Sequence, residues 1–552
     1  MNLPGEPVAS WVVMPPLFRS WLVGLALLPL SVSSAFASAA TVEQWGIFEV
    51  ALSGPTNGNP FVDVQFSAKF SLDEMNVEAN GFYDGNGMYR VRFMPDKQGQ
   101  WRYTTRSNVP ELNGKSGEFT VATPSTNNHG PVRVRNTYHF AYTDGTPYRP
   151  IGTTCYDWAH MVNRVEEMTL ASLAASPFNK VRMCVFPKVN PGTTNGLVLY
   201  PFEGTPPKTW DHSRLNPKFF QHLEQRVGDL RDRGIEADLI LFDPYDKGRW
   251  GFDRMPADVD DRYVRYIVSR LSAYHNVWWS LSNEYDFNKN KTESDWDRLF
   301  QVVQAVDPYA HLRSIHNGTL IYNNTKPWVT HASIQNGSAV EDNGRAELYR
   351  DVYRKPIVYD EVKYEGNIAR RWGQLSGEEM VFRFWEATVA GTYVTHGETL
   401  SNPEHLSWTS EGGRLRGQSP SRLAFLARVL AESPAEGIDP IDKWQDSDMG
   451  GQLGEYYLLY FGKQTPTSWA FELYKDRLKD GMKFTVDVID TWDMTITPVK
   501  DEFVTKKKDS YHFVDEKGRA VVLPGKPYMA LRVRRVPDPK ITVPPPDNTP
   551  PE

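Results

Sequence analysis

Two short apolar runs in this sequence end in carboxylates. The first, Trp278-Trp279-Ser280-Leu281-Ser282, leads into Asn283-Glu284; the second, Pro356-Ile357-Val358-Tyr359, leads into Asp360-Glu361. A lone carboxyl at the end of a buried strand is by default an ion-pair partner. Two that face one substrate can do more. Cleavage of a glycosidic bond by the common route needs one carboxyl to protonate the leaving oxygen and another to attack carbon or to activate water. The second run leaves a choice, since a one-residue change of strand register decides which side chain points inward. Asp360 and Glu365 are the alternatives to Glu361. Other chemistries lack their residues: there is no His-Glu-x-x-His, no Gly-x-Ser-x-Gly and no Gly-rich phosphate loop. No spacing resembles a metal site, and no cofactor is implied. Two cysteines, Cys155 and Cys184, are too few for a disulfide scaffold. They are read as buried thiols, with a pair in an oxidising compartment as the alternative.

Carboxylates on separate runs must be brought together by a scaffold. Between residues 127 and 436, eight short apolar runs, from Pro150–Cys155 to Gly391–Thr395, alternate with amphipathic helices. Phe220, Leu223, Val227 and Leu230 fall on one helix face, and Gly234 is placed to end that helix. Ser376-Gly377-Glu378-Glu379 reads as a helix start. Eight strands interleaved with helices predict a (β/α)8 TIM barrel, whose functional residues stand at the C-terminal strand ends. A doubly wound sheet is the alternative, but it would show a glycine fingerprint after its first strand. Glu284 and Glu361 end the fourth and seventh runs, which lie across a barrel mouth from one another. Other strand-end groups able to bind sugar hydroxyls are Tyr156, Asp157 and Trp158 after the first run, Asp243 and Tyr245 after the third, His331 and Gln335 on the sixth, and His396 and Glu398 on the eighth. A structural hydrogen bond is the competing role for each. Trp158 and Trp408 could stack on a sugar, whereas Trp385, in mid-helix, reads as core.

The flanks are different. Residues 40–126 show alternating strands such as Tyr89-Arg90-Val91-Arg92-Phe93 and the turn Asp84-Gly85-Asn86-Gly87, a hairpin signal that predicts an N-terminal β-sandwich. Residues 437–536 return to short strands, read as a small C-terminal β-sandwich, and residues 537–552 form a Pro-rich tail expected to be disordered. Residues 1–39 look like an export signal: Arg19, the apolar run Trp21–Leu30, then Ala35-Phe36-Ala37 or Ala37-Ser38-Ala39 as a cleavage site, with Met14 as a candidate start. A secreted or periplasmic protein is expected. The run is too short for a membrane span. With 61 basic and 68 acidic residues the net charge is -7, and no basic block occurs. Nucleic acid and anionic membranes are therefore not expected partners. The same balance disfavours anionic uronate substrates. Aromatics make up 13%, in keeping with a carbohydrate partner as well as with core packing.

At these residues the sequence resembles a known group. Asn-Glu ending the fourth strand and Glu ending the seventh is the arrangement of glycoside hydrolase clan A. Residues 41 to 535 look like the apiosidase-like barrel proteins that carry an N-terminal β-sandwich and a C-terminal β domain. The stretches that carry the resemblance are Tyr359-Asp360-Glu361-Val362-Lys363-Tyr364-Glu365-Gly366, Thr395-His396-Gly397-Glu398-Thr399 and Thr330-His331-Ala332-Ser333-Ile334-Gln335. The resemblance implies a retaining hydrolase with Glu284 as general acid/base and Glu361 as nucleophile. It also implies Asn283 at the sugar 2-hydroxyl and Arg182 beside the nucleophile, a structural salt bridge being Arg182's other reading. A polysaccharide lyase and a non-catalytic carbohydrate-binding barrel are the rival functions. New reducing ends, ultraviolet-absorbing unsaturated ends, or no turnover tell the three apart.

Overall fold

The computed structural model describes residues 40–188, 196–207, 209–246, 248–335, 343–441 and 448–537. The expected signal and residues 538–552 of the expected tail lie outside them. Residues from Ala40 onward form one compact unit.

At its centre is an eight-stranded parallel sheet. In chain order its strands are Ile151–Thr154, Lys180–Cys184, Glu236–Phe242, Val277–Ser282, Arg313–Ser314, Ala332–Gln335, Ile357–Glu361 and Tyr393–His396. Each pairs with its chain neighbour, the eighth pairs with the first, and a parallel bridge from His316 to Ser333 joins fifth to sixth. The sheet is thus closed into a barrel. Helices follow seven of the strands, Pro217–Arg231 after the second and Gly377–Val389 after the seventh among them. The (β/α)8 expectation fails at one place: residues 317–331, after the fifth strand, form no helix. That strand is only two residues long, and its Asp286-held loop, in which Gly318, Thr319 and Leu320 donate backbone N–H groups to the Asp286 carboxylate, takes the helix's place.

Strand alternation sorts the side chains. Val181, Met183, Leu239, Leu241, Trp279, Leu281, Ile357 and Tyr359 face outward into the main core beneath the helices, where Phe220, Leu223, Val227 and Leu230 meet them as their spacing predicts. The middle of the inward face is polar, with Lys180, Arg182, Asp238, Ser280, Ser333, Asp360 and Thr395 all buried, and apolar side chains such as Trp278 and Ile240 lie at its two ends. Gly234 has φ +68°, open to glycine without strain, and ends its helix. A small antiparallel sheet, Val132–Arg135, His139–Tyr142 and Pro147–Tyr148, closes the barrel floor, its Phe140 packing on Trp278.

The N-terminal seven strands form one sheet that folds over on itself. Phe48, on the strand at one end of the sheet order, stacks on Phe119, near the other end, with ring centroids 3.7 Å apart. The faces so joined enclose Phe70, Val91, Phe93 and Trp101. The predicted turn at Gly85 to Gly87 has three successive positive φ angles, which two glycines and an asparagine tolerate. This domain is tied to the barrel by buried ions: Arg92 pairs with Glu224 at 2.7 Å, and Arg270 pairs with Asp84 at 2.8 Å and Glu224 at 2.6 Å. The C-terminal domain packs just as closely. Tyr460 stacks on Trp385 at 5.6 Å, and Tyr456, Leu458 and Ala530 belong to the barrel's own core. Cys155 and Cys184 are free: Cys184 lies inside the barrel against Tyr156 and Ile240, and Cys155 lies in the outer core.

Trp385→Ala should cost about 3–5 kcal/mol, the usual range for emptying a large aromatic site. Because the barrel and C-terminal domain share this core, denaturant unfolding of the variant should remain one transition, with fluorescence and circular dichroism coincident.

Candidate active site

At the C-terminal mouth of the barrel is a cavity of about 640 Å³ whose lining includes Glu284, Glu361, Tyr156, Tyr245, Gln335, Lys188 and Tyr364. Glu284 follows the fourth strand in the left-handed region, φ +42° and ψ +52°, a rare conformation for a non-glycine residue. The turn aims its side chain into the cavity. Glu361 ends the seventh strand. There the register with the sixth shifts by one, Ile334 opposite Tyr359 but Gln335 opposite Glu361. The extra residue is Asp360, and a bulge of this kind re-aims consecutive side chains. Asp360 goes into the barrel axis and Glu361 into the cavity.

The two carboxylates sit in different fields. Burial raises the Glu284 pKa, and the charge of Glu361 raises it further. Burial also works against ionisation of Glu361, but its pKa is lowered on balance by the His316 ring, the Arg182 guanidinium, the Tyr156 hydroxyl and Lys188. His316 is itself pushed down to about 4 by burial. Above that pH it is neutral, and the cation at ion-pair distance from Glu361 is Arg182, whose Nη1 is 3.7 Å from Oε1. The same guanidinium donates to Asn283 Oδ1 at 2.8 Å, and Asn283 donates from Nδ2 to the Tyr245 hydroxyl at 2.8 Å. Tyr245 in turn donates to Glu284, and Tyr156 to Glu361. One chain of hydrogen bonds and an ion pair therefore runs from one carboxylate to the other through Arg182.

Beneath lies a buried charge cluster. Lys180 Nζ is 2.7 Å from Asp238 and 2.8 Å from Asp360. Asp360 also accepts from Ser333 Oγ at 2.5 Å and Thr395 Oγ1 at 2.7 Å. Despite burial, Lys180 and Arg182 hold its carboxyl far below the usual range.

A family model for an apiosidase-like catalytic domain matches residues 134–411, and two domains of unknown function (DUF5060 and DUF5605) match residues 41–108 and 444–534. The chain belongs to the apiosidase-like family. Among solved structures, a "putative glycoside hydrolase" of Bacteroides vulgatus ATCC 8482 is 41% identical, with a TM-score of 0.87 over 90% of this chain and 100% of that one. A glycoside hydrolase family 5 structure from the same organism shares the fold at 16% identity, with a TM-score of 0.52 over 74% of this chain and 93% of its own. No curated protein matches. This apiosidase-like chain is a glycosidase, and its substrate is a carbohydrate.

Of the residues singled out from the sequence, Glu284, Glu361, Tyr156, Tyr245 and Gln335 line the glycosidase's cavity, and Asn283 and Arg182 stand directly behind it. The others lie elsewhere. His331 precedes the sixth strand and packs at the barrel floor against Phe140 and Trp278. His396 points outward, since its neighbour Thr395 takes the inward position; it stacks on Phe178 at 4.8 Å. Trp158 is core, and Trp408 donates to Thr153 Oγ1 at 2.8 Å from a buried position. Asp157 is not part of the cavity lining and accepts the Lys188 backbone N–H at 2.7 Å. Glu398 accepts the N–H groups of Arg416 and Gly417, both at 2.8 Å, holding a loop. Glu365 accepts the N–H groups of Gln418 and Ser419 at the start of the helix Ser419–Ala431, where a carboxylate complements the helix dipole.

Several cavity residues were not singled out. Tyr364 lies inside a stretch that carried the resemblance, Lys188 is two residues past Phe186, and His316, two residues past the short fifth strand, stands behind the cavity with Nε2 3.7 Å from Glu361 Oε1. The sequence offers no periodicity signal for any of them. At the rim Trp372 is 45% exposed, an aromatic face open to a sugar ring. Lys188, Lys363 and Arg371 also line the cavity, and none of these cations has an ion-pair partner among the described residues. The cavity is thus less acidic than the chain, so the whole-chain charge does not describe it.

Lys180→Met should destabilise by about 3–5 kcal/mol, because it leaves Asp238 and Asp360 buried without their shared cation. Adding Asp238→Asn should recover part of that loss in urea unfolding, since one of the two stranded charges is then gone.

Proposed function

We propose that the protein is an exported retaining glycoside hydrolase that cleaves a polysaccharide or an oligosaccharide derived from one. Glu361 is the nucleophile and Glu284 the general acid/base. The observation that carries this reading is the opposite displacement of the two carboxyls in one cavity, Glu284 upward and Glu361 downward. Separated pKa values are what assign an acid and a base to two groups of one type. Protonated Glu284 gives its proton to the leaving oxygen while ionised Glu361 attacks the anomeric carbon. The glycosyl-enzyme then forms on Glu361 as the aglycone departs. Glu284, now ionised, takes a proton from water, which attacks the same carbon and releases Glu361. Gln335, in the cavity lining, binds a sugar hydroxyl, and the clan resemblance assigns Asn283 to the sugar 2-hydroxyl. Arg182 keeps the nucleophile charged before attack.

The sign of the pH dependence follows. Glu361 must be ionised, so kcat/KM should fall as pH drops through a pKa below the ordinary glutamate value of 4.5. Glu284 must be protonated, so kcat/KM should fall again as pH rises through a pKa above 4.5. Glu284→Gln should remove the alkaline limb and cost about 10²- to 10⁴-fold with poor leaving groups, but little with activated aryl ones. Glu284→Ala should be partly rescued by azide. Glu361→Gln should lose activity by several orders of magnitude while keeping its fold. Product NMR should show retention of the anomer. An inverted first product would overturn the mechanism, and an unsaturated, ultraviolet-absorbing end would make the protein a lyase. Export rests on the order of Arg19, Trp21–Leu30 and the alanines after them. It is tested by sequencing the mature N-terminus, where retention of Trp21–Leu30 in a cytoplasmic protein would refute it.

A further inference from the structure

We propose that Lys188 is a positioning residue for glycosidic cleavage: its ammonium clamps Tyr156 and Tyr245, and through their hydroxyls it sets the two catalytic carboxylates together. The inference rests on the reading of Glu284 and Glu361 as the catalytic pair.

Lys188 Nζ lies 3.8 Å from the ring centroid of Tyr156 and 3.8 Å from that of Tyr245. A cation that close to two aromatic faces is held by both quadrupoles. The two rings belong to different parts of the chain, Tyr156 after the first barrel strand and Tyr245 after the third, and Lys188 comes from the segment after the second, between them. Each tyrosine donates its hydroxyl to one carboxylate, Tyr156 to Glu361 and Tyr245 to Glu284. The lysine is therefore at the middle of a symmetric bracket. Its backbone is anchored by the Asp157 carboxylate at 2.7 Å. Among the described residues its ammonium has no carboxylate at ion-pair distance, so no salt bridge accounts for its position. Arg182 already links the pair from below, through Asn283; Lys188 links them from the solvent side.

The charged and titratable groups around Lys188 come from several elements. Asp157 and Tyr156 face it from the first loop, Asp243 and Tyr245 from the third, and Glu411 from the short helix Trp408–Glu411. Glu284 and Glu361 complete the set, and its positive charge lowers the pKa of both. This gives the clamp a signature that a filler of space would lack. Removing the charge should raise both pKa values, so the whole pH profile should move upward without inverting.

The test is the kcat/KM profile of the full chain, wild type, Lys188→Met and Lys188→Arg, on an oligosaccharide found active in a library screen. Asp157 and Asp243 are pushed up by burial to about 8 and about 6, so the limbs are assigned first with Glu284→Gln, which removes the Glu284 limb and leaves theirs. If that variant keeps the alkaline limb, the assignment of the pair fails, independently of Lys188. With the limb assigned, Lys188→Met should shift both limbs up by about half a unit to one unit, as expected for losing one nearby charge. It should lower kcat about tenfold with KM little changed. Lys188→Arg, which keeps a cation able to stack on both rings, should restore the limbs and most of kcat. Tyr156→Phe/Tyr245→Phe should already show the loss in kcat, and adding Lys188→Met to it should cost less than in the wild-type background. Thermal unfolding of each variant checks that the fold is intact. Limbs that stay in place in Lys188→Met, whether kcat falls or not, or a change confined to KM, would overturn the proposal.

Discussion

One buried cation holds the centre of this barrel together. Lys180, with no solvent exposure, is shared by Asp238 on the third strand and Asp360 on the seventh. An isolated charge there would be prohibitively costly, and a buried pair is tolerated only where geometry and further hydrogen bonds satisfy it. Ser333 and Thr395 supply those bonds. The cluster thus joins the second, third, sixth, seventh and eighth strands across the barrel axis, where many barrels have only aliphatic layers. Arg182 is stacked above Lys180 with its guanidinium within 4.0 Å of Asp238 and 3.8 Å of Asp360. That position leaves its other nitrogens for Asn283 and Glu361.

From this follows the electrostatic division of the candidate active site. Two cations face two buried carboxylates below the cavity, and Arg182 reaches past them to a third, Glu361. Glu284 is farther from that cation and receives hydrogen-bond support from Tyr245 instead. Burial then works against its charge with less opposition. The same scaffold therefore presents one carboxyl disposed to ionise and one disposed to hold its proton, which is the distinction that hydrolysis of a glycosidic bond draws between its two acids. The tyrosines add reach: each hydroxyl holds one carboxylate from the side, and the Lys188 ammonium lies between their rings.

The two β domains are not appendages hung on the barrel. Arg92, Arg270, Glu224 and Asp84 form a buried network where the first domain meets the helices, and Tyr460 on Trp385 joins the last domain to the main core. Their packing keeps the barrel's outer helices in place while leaving the mouth open. The 41% identical glycoside hydrolase structure shares this fold over 90% of the chain.

The sequence by itself determined which segments are strands and helices of the barrel, because inward–outward alternation and helical spacing are local patterns. Val277–Ser282 is a strand with the bounds its apolar run suggests, and Gly234 ends its helix with the positive φ that only glycine takes freely. It also located Glu284 and Glu361, since both stand where an apolar run meets a carboxylate. It left Asp360 and Glu365 as alternatives, and only the tertiary structure separated them. A bulge opposite Gln335 sends Asp360 to the axis and Glu361 to the cavity, and the start of the helix Ser419–Ala431, well beyond the eighth strand, captures Glu365. His331, His396 and Glu398 illustrate the same limit. Position at a strand end is written in the chain, but the side of the barrel wall that a side chain faces depends on register across strands far apart in sequence. Lys188 shows it most plainly: two rings from other loops define its place, and nothing in its own neighbourhood encodes them.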